Sequence, residues 1–390
     1  MKKVIIASAL LATGSLVLLA GCGAKEKVYT NNNTQIVIGV TGPLTGDAAN
    51  YGLGVKNAAQ MAINNINDQG GLNGKKFTLV ALDDQCSADK ANKNYYTEYE
   101  QGMQISLGGV TSGACLEYAA LAKKDKVFCL TPSATNDGVP QVGDNTYQMC
   151  FSDSGQGTAA ATYIKENYSG KKIGVFYDSS DDYSKGIYDN FKKSFTGTFT
   201  QASFTNDTNT NFATQISTLK DCDFIFMPIY YTQAALFIDQ AKGKISDSAV
   251  YYGCDGLDGI DSVENFDVYD YPQEISYLSH FNANSDDETT ISFVNSYKSE
   301  YASQKDTLNQ FGAAAYDCVY AIYQALSEYE AEGNTIEVTA KPSEFYKILT
   351  DKFQNGFTFS GVTGKNIKWN KDGTVDKTAT KYIVNADTDK

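Results

Sequence analysis

Several residues that could bind a small molecule stand where predicted strands end and loops begin. Ser112 opens a predicted helix, and a serine there offers its hydroxyl and free backbone N–H groups to an anion. Residues 131–135 carry three hydroxyl side chains after the fourth predicted strand, and Asp255 follows the strand predicted at 250–253. In open α/β sheets ligands bind beyond the carboxyl ends of the strands. The pattern therefore predicts a polar binding site. Each residue also has a purely structural alternative: Ser112 could cap its helix, residues 131–135 could form a turn anchored by proline, and Asp255 could occupy a turn.

The chain has no arginine, so all 32 basic residues are lysine. Arginine is the side chain that grips a carboxylate or phosphate with two parallel hydrogen bonds. Any anion bound here must therefore be held by backbone N–H groups, hydroxyls or lysine. Biased genome composition is favoured over functional selection as the explanation for the missing arginine, but the chemical constraint is the same in either case.

Residues for covalent or metal chemistry are sparse. The single histidine, His280, has no cysteine or other histidine near it, and there is no CxxC pair. The sequence contains no GxSxG elbow, Walker loop or HExxH motif. We therefore predict no catalytic residue, no metal site and no cofactor. A pair of acids among the many carboxylates keeps an enzyme open as the rival class.

The apolar pattern predicts alternating strands and helices from residue 35, the rhythm of parallel sheets covered on both faces. The first series comprises strands at 35–40, 77–82, 105–109 and 127–130, with helices at 54–69, 88–100 and 113–124. The second comprises helices at 155–167, 183–195, 211–220 and 233–242, with strands at 173–177, 223–228 and 250–253. Further helices are predicted at 289–303, 312–332 and 343–354. Two α/β units in series predict two lobes.

The N-terminus has the pattern of an export signal. Two lysines precede an apolar run at 4–20, and Leu19-Ala20-Gly21-Cys22 follows at once. The LAGC sequence resembles the lipobox of bacterial lipoproteins, which implies a signal peptide over 1–21, cleavage before Cys22 and lipid on its sulfur. Residues 22–34 then read as a polar tether. The alternative is an uncleaved membrane anchor.

The net charge limits the kinds of molecule that the chain can bind, and the cysteine count limits the disulfides that it can form. A net charge of −14 disfavours a nucleic-acid partner, because an acidic surface repels phosphates. Of the eight cysteines, seven remain if Cys22 is lipidated, so at least one is unpaired or bridged to another molecule. Spacing alone does not define which cysteines pair.

The chain resembles a known family from about residue 35 to its C-terminus, densely up to residue 138 and most specifically over 39–84. Its Gly-Pro-Leu-Thr-Gly…Tyr-Gly loop, Ala-Ile-Asn-x-Ile-Asn helix end, Gly-Gly-x-x-Gly turn and closing Asp-Asp are similar to those of the branched-chain amino-acid-binding proteins. These are class I periplasmic-type receptors of ABC importers. The resemblance implies an α/β fold of two doubly wound parallel-sheet lobes joined by a multi-strand hinge. We expect lobe one over 35–152 plus 280–372, and lobe two over 153–279 plus 373–390.

The resemblance also implies binding roles for lobe-one residues. Ser112 matches the serine that holds the ligand's carboxylate. In the segment of Ser133, Ala134 and Thr135, Thr135 matches the residue contacting both carboxylate and ammonium. Ser133 matches the position whose carbonyl accepts from the ammonium, and its hydroxyl departs from the family's usual alanine. Tyr51 matches an aromatic packed against the ligand, or it only closes the first loop.

In lobe two the resemblance implies two cleft tyrosines, Tyr183 and Tyr230, and an acidic partner for the ammonium, Asp255. The family commonly has glutamate at the acidic position, so the shorter aspartate requires a closer approach. With 27 tyrosines in the chain, ordinary packing is the alternative for both tyrosines.

The resemblance implies a partner for Cys86 in the carboxylate loop, where this chain has Thr111 instead. Cys115, four residues on, is the favoured partner, which gives a Cys86–Cys115 disulfide. A Cys129–Cys150 pair stays open, and Cys222, Cys254 and Cys318 are expected as buried free thiols.

Together these features imply a monomeric extracytoplasmic lipoprotein that binds a free amino acid, branched-chain favoured, by hinge closure. Its implied partners are an ABC permease and the bilayer, reached through Cys22, and no nucleic acid. A sensor of the same fold and a receptor for an amide or other small polar solute are the alternatives.

Overall fold

A computed structural model describes residues 32–386 of the chain, which form two α/β lobes. The predicted signal peptide, Cys22 and most of the tether lie outside the described residues. None of the helices within 32–386 combines the length and apolar character needed to span a bilayer.

Lobe one is built on a five-stranded parallel sheet with the order β2-β1-β3-β4-β5. Its interior strand β1 is buried along its whole length, as expected for a strand covered by helices on both faces. The strands are β1 (Ile36–Gly42), β2 (Phe77–Asp83), β3 (Ile105–Gly109), β4 (Phe128–Thr131) and β5 (Thr146–Gln148). The helices from this part of the chain are α1 (Ala49–Asp68), α2 (Ala88–Glu100), α3 (Ser112–Asp125) and α4 (Gly138–Gln141).

Lobe two is built on a six-stranded sheet with the order β13-β10-β9-β8-β6-β7, parallel except for β13. Its strands are β6 (Ile173–Asp178), β7 (Phe199–Phe204), β8 (Phe224–Met227), β9 (Val250–Gly253), β10 (Glu274–Ser279) and β13 (Thr380–Ile383). Its helices are α5 (Asp153–Asn167), α6 (Asp182–Ser194), α7 (Ala213–Leu219) and α8 (Tyr231–Ala241).

After β10 the chain returns to lobe one. It forms α9 (Glu288–Glu300), α10 (Gln310–Ala331), α11 (Pro342–Gln354) and the hairpin of β11 (Thr358–Phe359) and β12 (Ile367–Lys368). Helix α10 packs along α1, and α11 packs against β4. The chain therefore crosses between the lobes three times, through residues 149–152, 280–287 and 369–379. The two parallel-sheet lobes predicted from the sequence are confirmed; their residue limits stay a prediction.

Helix α1 begins five residues before the predicted start at Gly54. Gly54 lies inside this helix and faces the start of α10. A Cβ on Gly312 would lie 2.8 Å from the Gly54 carbonyl oxygen, so the two helix backbones approach closely only because both residues lack side chains. The need for close packing, not for a turn, explains these glycines.

Four strands, β5, β7, β10 and β11, were not predicted from the sequence. Short strands were predicted over 364–387, the part of the chain that contains β12 and β13. β5 has only three residues, and β7 is an edge strand whose residues alternate irregularly between exposed and buried. β10 lies between two pairing partners, one of which, β13, comes about a hundred residues later. Short or edge strands carry little periodicity, because tertiary pairing specifies them.

Candidate ligand-binding site

A small cavity lies between the lobes. Its walls come from the loops after β3, β4, β8 and β9 and from the helices α1, α3, α6 and α10. The lining residues are Tyr51, Val110, Thr111, Ser112, Ser133, Tyr183, Tyr230, Asp255, Gly256 and Phe311.

Of the predicted site residues, Ala134 and Thr135 do not line the cavity in this closed arrangement. Ala134 packs in a small apolar cluster with Cys115 and Val139, so its side chain faces the lobe interior. Thr135 is fully buried, and its carbonyl accepts from the backbone N–H of Asp153 at 2.8 Å. Both residues thus hold the loop after β4 in place, rather than forming the cavity wall.

The lobe-one wall is the N-terminus of α3. Its N-cap residue is Thr111, in extended conformation, and the Thr111 hydroxyl is buried without a hydrogen-bond partner. Among residues 32–386, the first-turn N–H groups of Ser112, Gly113 and Ala114 have no hydrogen-bond acceptor. A helix N-terminus with free N–H groups attracts a negative charge. This wall is therefore suited to a carboxylate.

Several other helices of the protein have side-chain caps, although α1, α4, α7 and α8 have none. Ser87 accepts from Lys90 at α2, Ser152 from Gly155 at α5, and Asp181 from Ser184 at α6. The N-cap of α3 makes no such bond, although threonine is able to make it. The hydroxyl and N–H groups of α3 therefore remain available to a ligand.

Two serines connect the loops that form this wall. The Ser133 hydroxyl donates to the Val110 carbonyl at 2.6 Å, and the Ser112 hydroxyl oxygen accepts from the Asn136 backbone N–H at 3.3 Å. The extra hydroxyl predicted to enter the site at Ser133 is thus used within the protein. Ser112 retains its own hydroxyl proton for a ligand.

The lobe-two wall centres on Asp255, which is only 1% exposed. Its Oδ1 accepts from the Tyr183 hydroxyl at 2.7 Å, and Oδ2 has no hydrogen-bond partner. The Tyr183 oxygen in turn accepts from the Gly256 N–H at 2.8 Å. A Cβ on Gly256 would lie 2.6 Å from that oxygen, so glycine is needed for this approach.

Burial raises the pKa of Asp255 to about 7, against the lowering effect of the Tyr183 and Gln156 side chains. Gln156 also accepts from the Asp255 backbone N–H at 3.0 Å, which orients the acidic residue. An unpaired carboxylate in a buried site is destabilised, and a cation beside it removes that cost. Asp255 is therefore suited to bind an ammonium group.

Aromatic rings enclose the cavity. Tyr230 stacks on Tyr183 with ring centroids 5.0 Å apart, and its hydroxyl is buried without a partner. Tyr51 makes edge contacts with Tyr230 at 5.6 Å and with Phe311 at 5.0 Å. With Val110, these rings form the apolar part of the wall.

Hydrogen bonds across the cleft hold the lobes together. On one side the Tyr51 hydroxyl donates to the Gly256 carbonyl, and the Asn50 side chain donates to the Ser262 hydroxyl at 2.9 Å. On the other side the Asn136 side chain donates to the Asp182 carbonyl at 3.0 Å. The structure is therefore the closed form of the cleft, in which both walls contact the same small volume.

The predicted Cys86–Cys115 disulfide is not formed in the structure. Cys86 is exposed in a turn after β2, with a φ of 60°, whereas Cys115 is buried in α3. The Cys115 thiol instead interacts with Cys129, and this contact lowers its pKa. Cys129 and Cys150 are likewise free, as are the buried thiols expected at Cys222, Cys254 and Cys318.

Four lining residues were not among the predicted site residues. They are Val110, Thr111, Gly256 and Phe311. Thr111 could have been found, since it precedes the predicted helix at the N-cap position. Phe311 comes from the start of α10, 199 residues after Ser112 and 55 after Gly256, so no local pattern connects it to the site.

No three His, Cys, Asp or Glu side chains between residues 32 and 386 converge on a metal-binding position. The site consists of hydroxyls, amide N–H groups, one carboxylate and aromatic rings. Its chemistry is that of non-covalent binding.

The sequence matches the profile of the family described as periplasmic binding protein over residues 35–389. A curated relative, the Leu/Ile/Val-binding protein BraC3 of Rhizobium johnstonii, is 30% identical over 58% of this chain and 62% of its own length. The match thus spans less than two thirds of that relative.

Solved structures share the fold. The substrate-binding protein LivJ of Streptococcus pneumoniae, in complex with isoleucine, is 26% identical with a TM-score of 0.76, covering 90% of this chain and 99% of its own. The solute-binding protein RPA0668 of R. palustris, in complex with benzoate, is 17% identical with a TM-score of 0.74, covering 89% of this chain and 92% of its own. The chain belongs to the periplasmic binding protein family, whose members are extracytoplasmic solute-binding proteins of transporters rather than enzymes, and it resembles the branched-chain amino-acid-binding members.

Proposed function

We propose that the chain captures a free amino acid, with branched-chain amino acids favoured, and delivers it to an ABC importer. The observation that carries this proposal is the pairing of unsatisfied polar groups across one closed cavity. The α3 N-terminus with Thr111 faces it from lobe one, and Asp255 Oδ2 from lobe two. A carboxylate and an ammonium on one small molecule would satisfy both walls together.

The mechanism is closure around the ligand. The carboxylate first contacts the N–H groups at the start of α3 and the hydroxyls of Thr111 and Ser112. Closing the hinge then brings Asp255 and Tyr230 to the ammonium side. A ligand favours the closed form only through contacts that it makes better there than in the open form. Contacts from both lobes meet this condition.

The apolar part of the cavity supports a hydrocarbon side chain. Val110, Phe311 and the Tyr51 ring offer no unpartnered polar atom, and the Ser133 hydroxyl is engaged with Val110. The named relatives also support a ligand with a hydrocarbon side chain, since one is called Leu/Ile/Val-binding and another was solved in complex with isoleucine. Benzoate in the R. palustris protein has no ammonium, so a ligand of that kind would leave Asp255 without a partner.

The test compares isoleucine with analogues that each lack one charged end. Isothermal titration of the purified full-length protein would use isoleucine, N-acetylisoleucine, isoleucinamide and benzoate. We expect binding of isoleucine, with leucine and valine in the same range, and a loss of binding when either end is blocked. Binding of no amino acid would refute the proposal. Equal binding of benzoate or isoleucinamide would favour a receptor for another solute.

The proposal includes export and anchoring. Residues 1–21 would be removed as a signal peptide, and lipid on Cys22 would hold the mature monomer at the outer face of the cell membrane through the tether. The test is Cys22→Ser in cells: we expect the protein to move from the membrane fraction to the soluble extracytoplasmic fraction. A Cys22→Ser protein that stays in the membrane would indicate an uncleaved anchor instead.

An importer subunit and a sensor would bind ligand alike, so uptake separates them. Deleting the chain should abolish high-affinity uptake of labelled isoleucine by whole cells. Normal uptake, combined with a lost transcriptional or motility response to the amino acid, would favour the sensor.

A further inference from the structure

A second polar pocket, which we call the hinge pocket, lies where two of the three crossings pass between the lobes. Its volume is about 900 Å³, and it shares no lining residue with the ligand cavity. His280 follows β10 at one crossing, and Lys377 precedes β13 at another. The hinge pocket is also lined by Thr363, Lys365 and Lys368 of lobe one.

His280 is the first unusual group of the hinge pocket. Its ring is 9% exposed, and neither ring nitrogen has a hydrogen-bond partner among residues 32–386. The Phe151 ring packs edge-on against it at 5.1 Å. The Gln310 side chain lies beside it, but its oxygen accepts from the His280 backbone N–H at 3.2 Å. His280 thus lines the pocket with a buried imidazole whose N–H has no acceptor among residues 32–386.

Lys377 is the second unusual group. Its Nζ donates to the Thr363 hydroxyl at 2.6 Å, which itself donates to the Asp317 carboxylate at 2.5 Å. Asp317 also accepts from the backbone N–H groups of Val362 and Thr363, so its charge is already shared among several donors. No carboxylate lies within 4.0 Å of the Lys377 ammonium in the described chain.

The charges around the hinge pocket contrast with the rest of the protein. The chain carries a net charge of −14, yet three lysines line this pocket against one acid, Asp376. Lys365 is weakly paired with Asp287 at 3.5 Å. Burial lowers the pKa of Lys377 to about 8, and burial, followed by the charge of Lys377, lowers the pKa of His280 well below its ordinary value. An anion bound beside Lys377 and His280 would raise the pKa of both groups.

We propose that the hinge pocket binds a small inorganic oxyanion of the phosphate or sulfate type, through the Lys377 ammonium and the His280 ring N–H. Lysine acts as a point charge toward such anions, and the imidazole adds one directed donor. The anion would connect two crossings with the lobe-one segment at Thr363. It would therefore stabilise the hinge itself rather than the ligand cavity.

The first test uses the single histidine of the chain as its own probe. The full-length protein, carrying no histidine tag, would be titrated with sodium phosphate while sodium chloride keeps the ionic strength constant. We expect the His280 ring resonances in a ¹H–¹³C NMR spectrum to shift and to saturate. Resonances that do not move, or that move equally with chloride, would overturn the proposal.

The second test uses variants and calorimetry. Lys377→Met keeps the aliphatic stem and removes the charge, and His280→Phe keeps the ring contact with Phe151 and removes the N–H. We expect each to weaken phosphate binding at least about tenfold, which is ~1.4 kcal/mol. Lys371→Met, in an exposed turn outside the pocket, is the matched control and should bind phosphate like the unmodified protein.

Unchanged phosphate affinity in either pocket variant would overturn the proposal, as would an equal loss in Lys371→Met. If Lys377→Met does not fold, His280→Phe and the NMR titration still decide the outcome. Because the pocket shares no residue with the ligand cavity, isoleucine binding by the variants reports separately on whether they are folded.

Discussion

The two lobes present opposite chemistry to the same cavity. Lobe one offers neutral donors: the N–H groups at the start of α3 and the hydroxyls of Thr111 and Ser112. Lobe two offers a buried carboxylate, Asp255, which accepts from the hydroxyl of Tyr183, and the Tyr183 ring stacks on Tyr230. A group of helix and hydroxyl dipoles binds an anion without a formal charge of its own, whereas an isolated buried carboxylate needs a cation. We therefore expect lobe two to contribute more to affinity per residue, and lobe one to share its contribution among many small contacts.

The largest effect is expected at Asp255. Asp255→Asn keeps the shape and the acceptor for Tyr183 but removes the charge. Truncating one partner of a buried charge pair costs about 2–5 kcal/mol, so isoleucine should bind ~30-fold more weakly or worse. Isothermal titration measures this, with Asp270→Asn, at an exposed position, as the control. Unchanged affinity would remove Asp255 from the site and with it the contrast between the lobes.

The second prediction concerns pH. Burial raises the pKa of Asp255 to about 7, and binding an ammonium requires the ionised form, so binding must release a proton at lower pH. Isoleucine affinity should therefore fall by about tenfold per pH unit below pH 7. Titrations between about pH 5 and pH 7.5 test this.

The same pH titration with Asp255→Asn serves as the control. Asp181, which caps α6, also has a pKa raised to about 7, chiefly by burial. If the pH dependence persists in Asp255→Asn, Asp181 or another buried acid causes it, and the assignment to Asp255 is wrong.

A smaller effect is expected in lobe one. Thr111→Val removes the unpartnered hydroxyl and leaves the extended backbone of the N-cap undisturbed. One hydrogen bond contributes about 0.5–1.5 kcal/mol, so isoleucine affinity should fall by ~3–10-fold, with little change in Tm. Thr158→Val on the exposed face of α5 is the matched control. If Thr111→Val lowered isoleucine affinity as much as Asp255→Asn, binding of the ligand's carboxylate would depend on this one hydroxyl and not on a shared group of donors.

The smallest effect is expected for Ser133→Ala. Its hydroxyl is engaged with the Val110 carbonyl, so affinity should change by less than about twofold, while stability falls by about 0.5–1.5 kcal/mol because that carbonyl loses its donor. Titration and thermal unfolding of the same sample separate the two effects. A large loss of affinity would show that Ser133 contacts the ligand directly.

Local sequence order pointed to Ser112 and Ser133 of lobe one more directly than to the Tyr183–Asp255 pair of lobe two, and the reason is physical. In lobe one, strand, loop and helix follow one another within a few residues, so Ser112 and Ser133 could be assigned from local order. Tyr183 and Asp255 are 72 residues apart and meet only because β6 and β9 belong to the same sheet. Their positions were implied by family resemblance, and no local pattern distinguished Tyr183 among the 27 tyrosines.

By itself the amino-acid sequence determined the alternation of strands and helices, the two lobes and the absence of arginine from any anion site. These follow from local periodicity and composition. Only the tertiary structure decided that Thr111 is the open cap, that Phe311 lines the cavity, and that Ala134 and Thr135 lie outside its lining. It also left Cys86 and Cys115 unpaired and placed His280 and Lys377 in one pocket at the hinge. Each of these depends on which distant segments pack together, because burial and the loss of water determine which polar groups remain without partners.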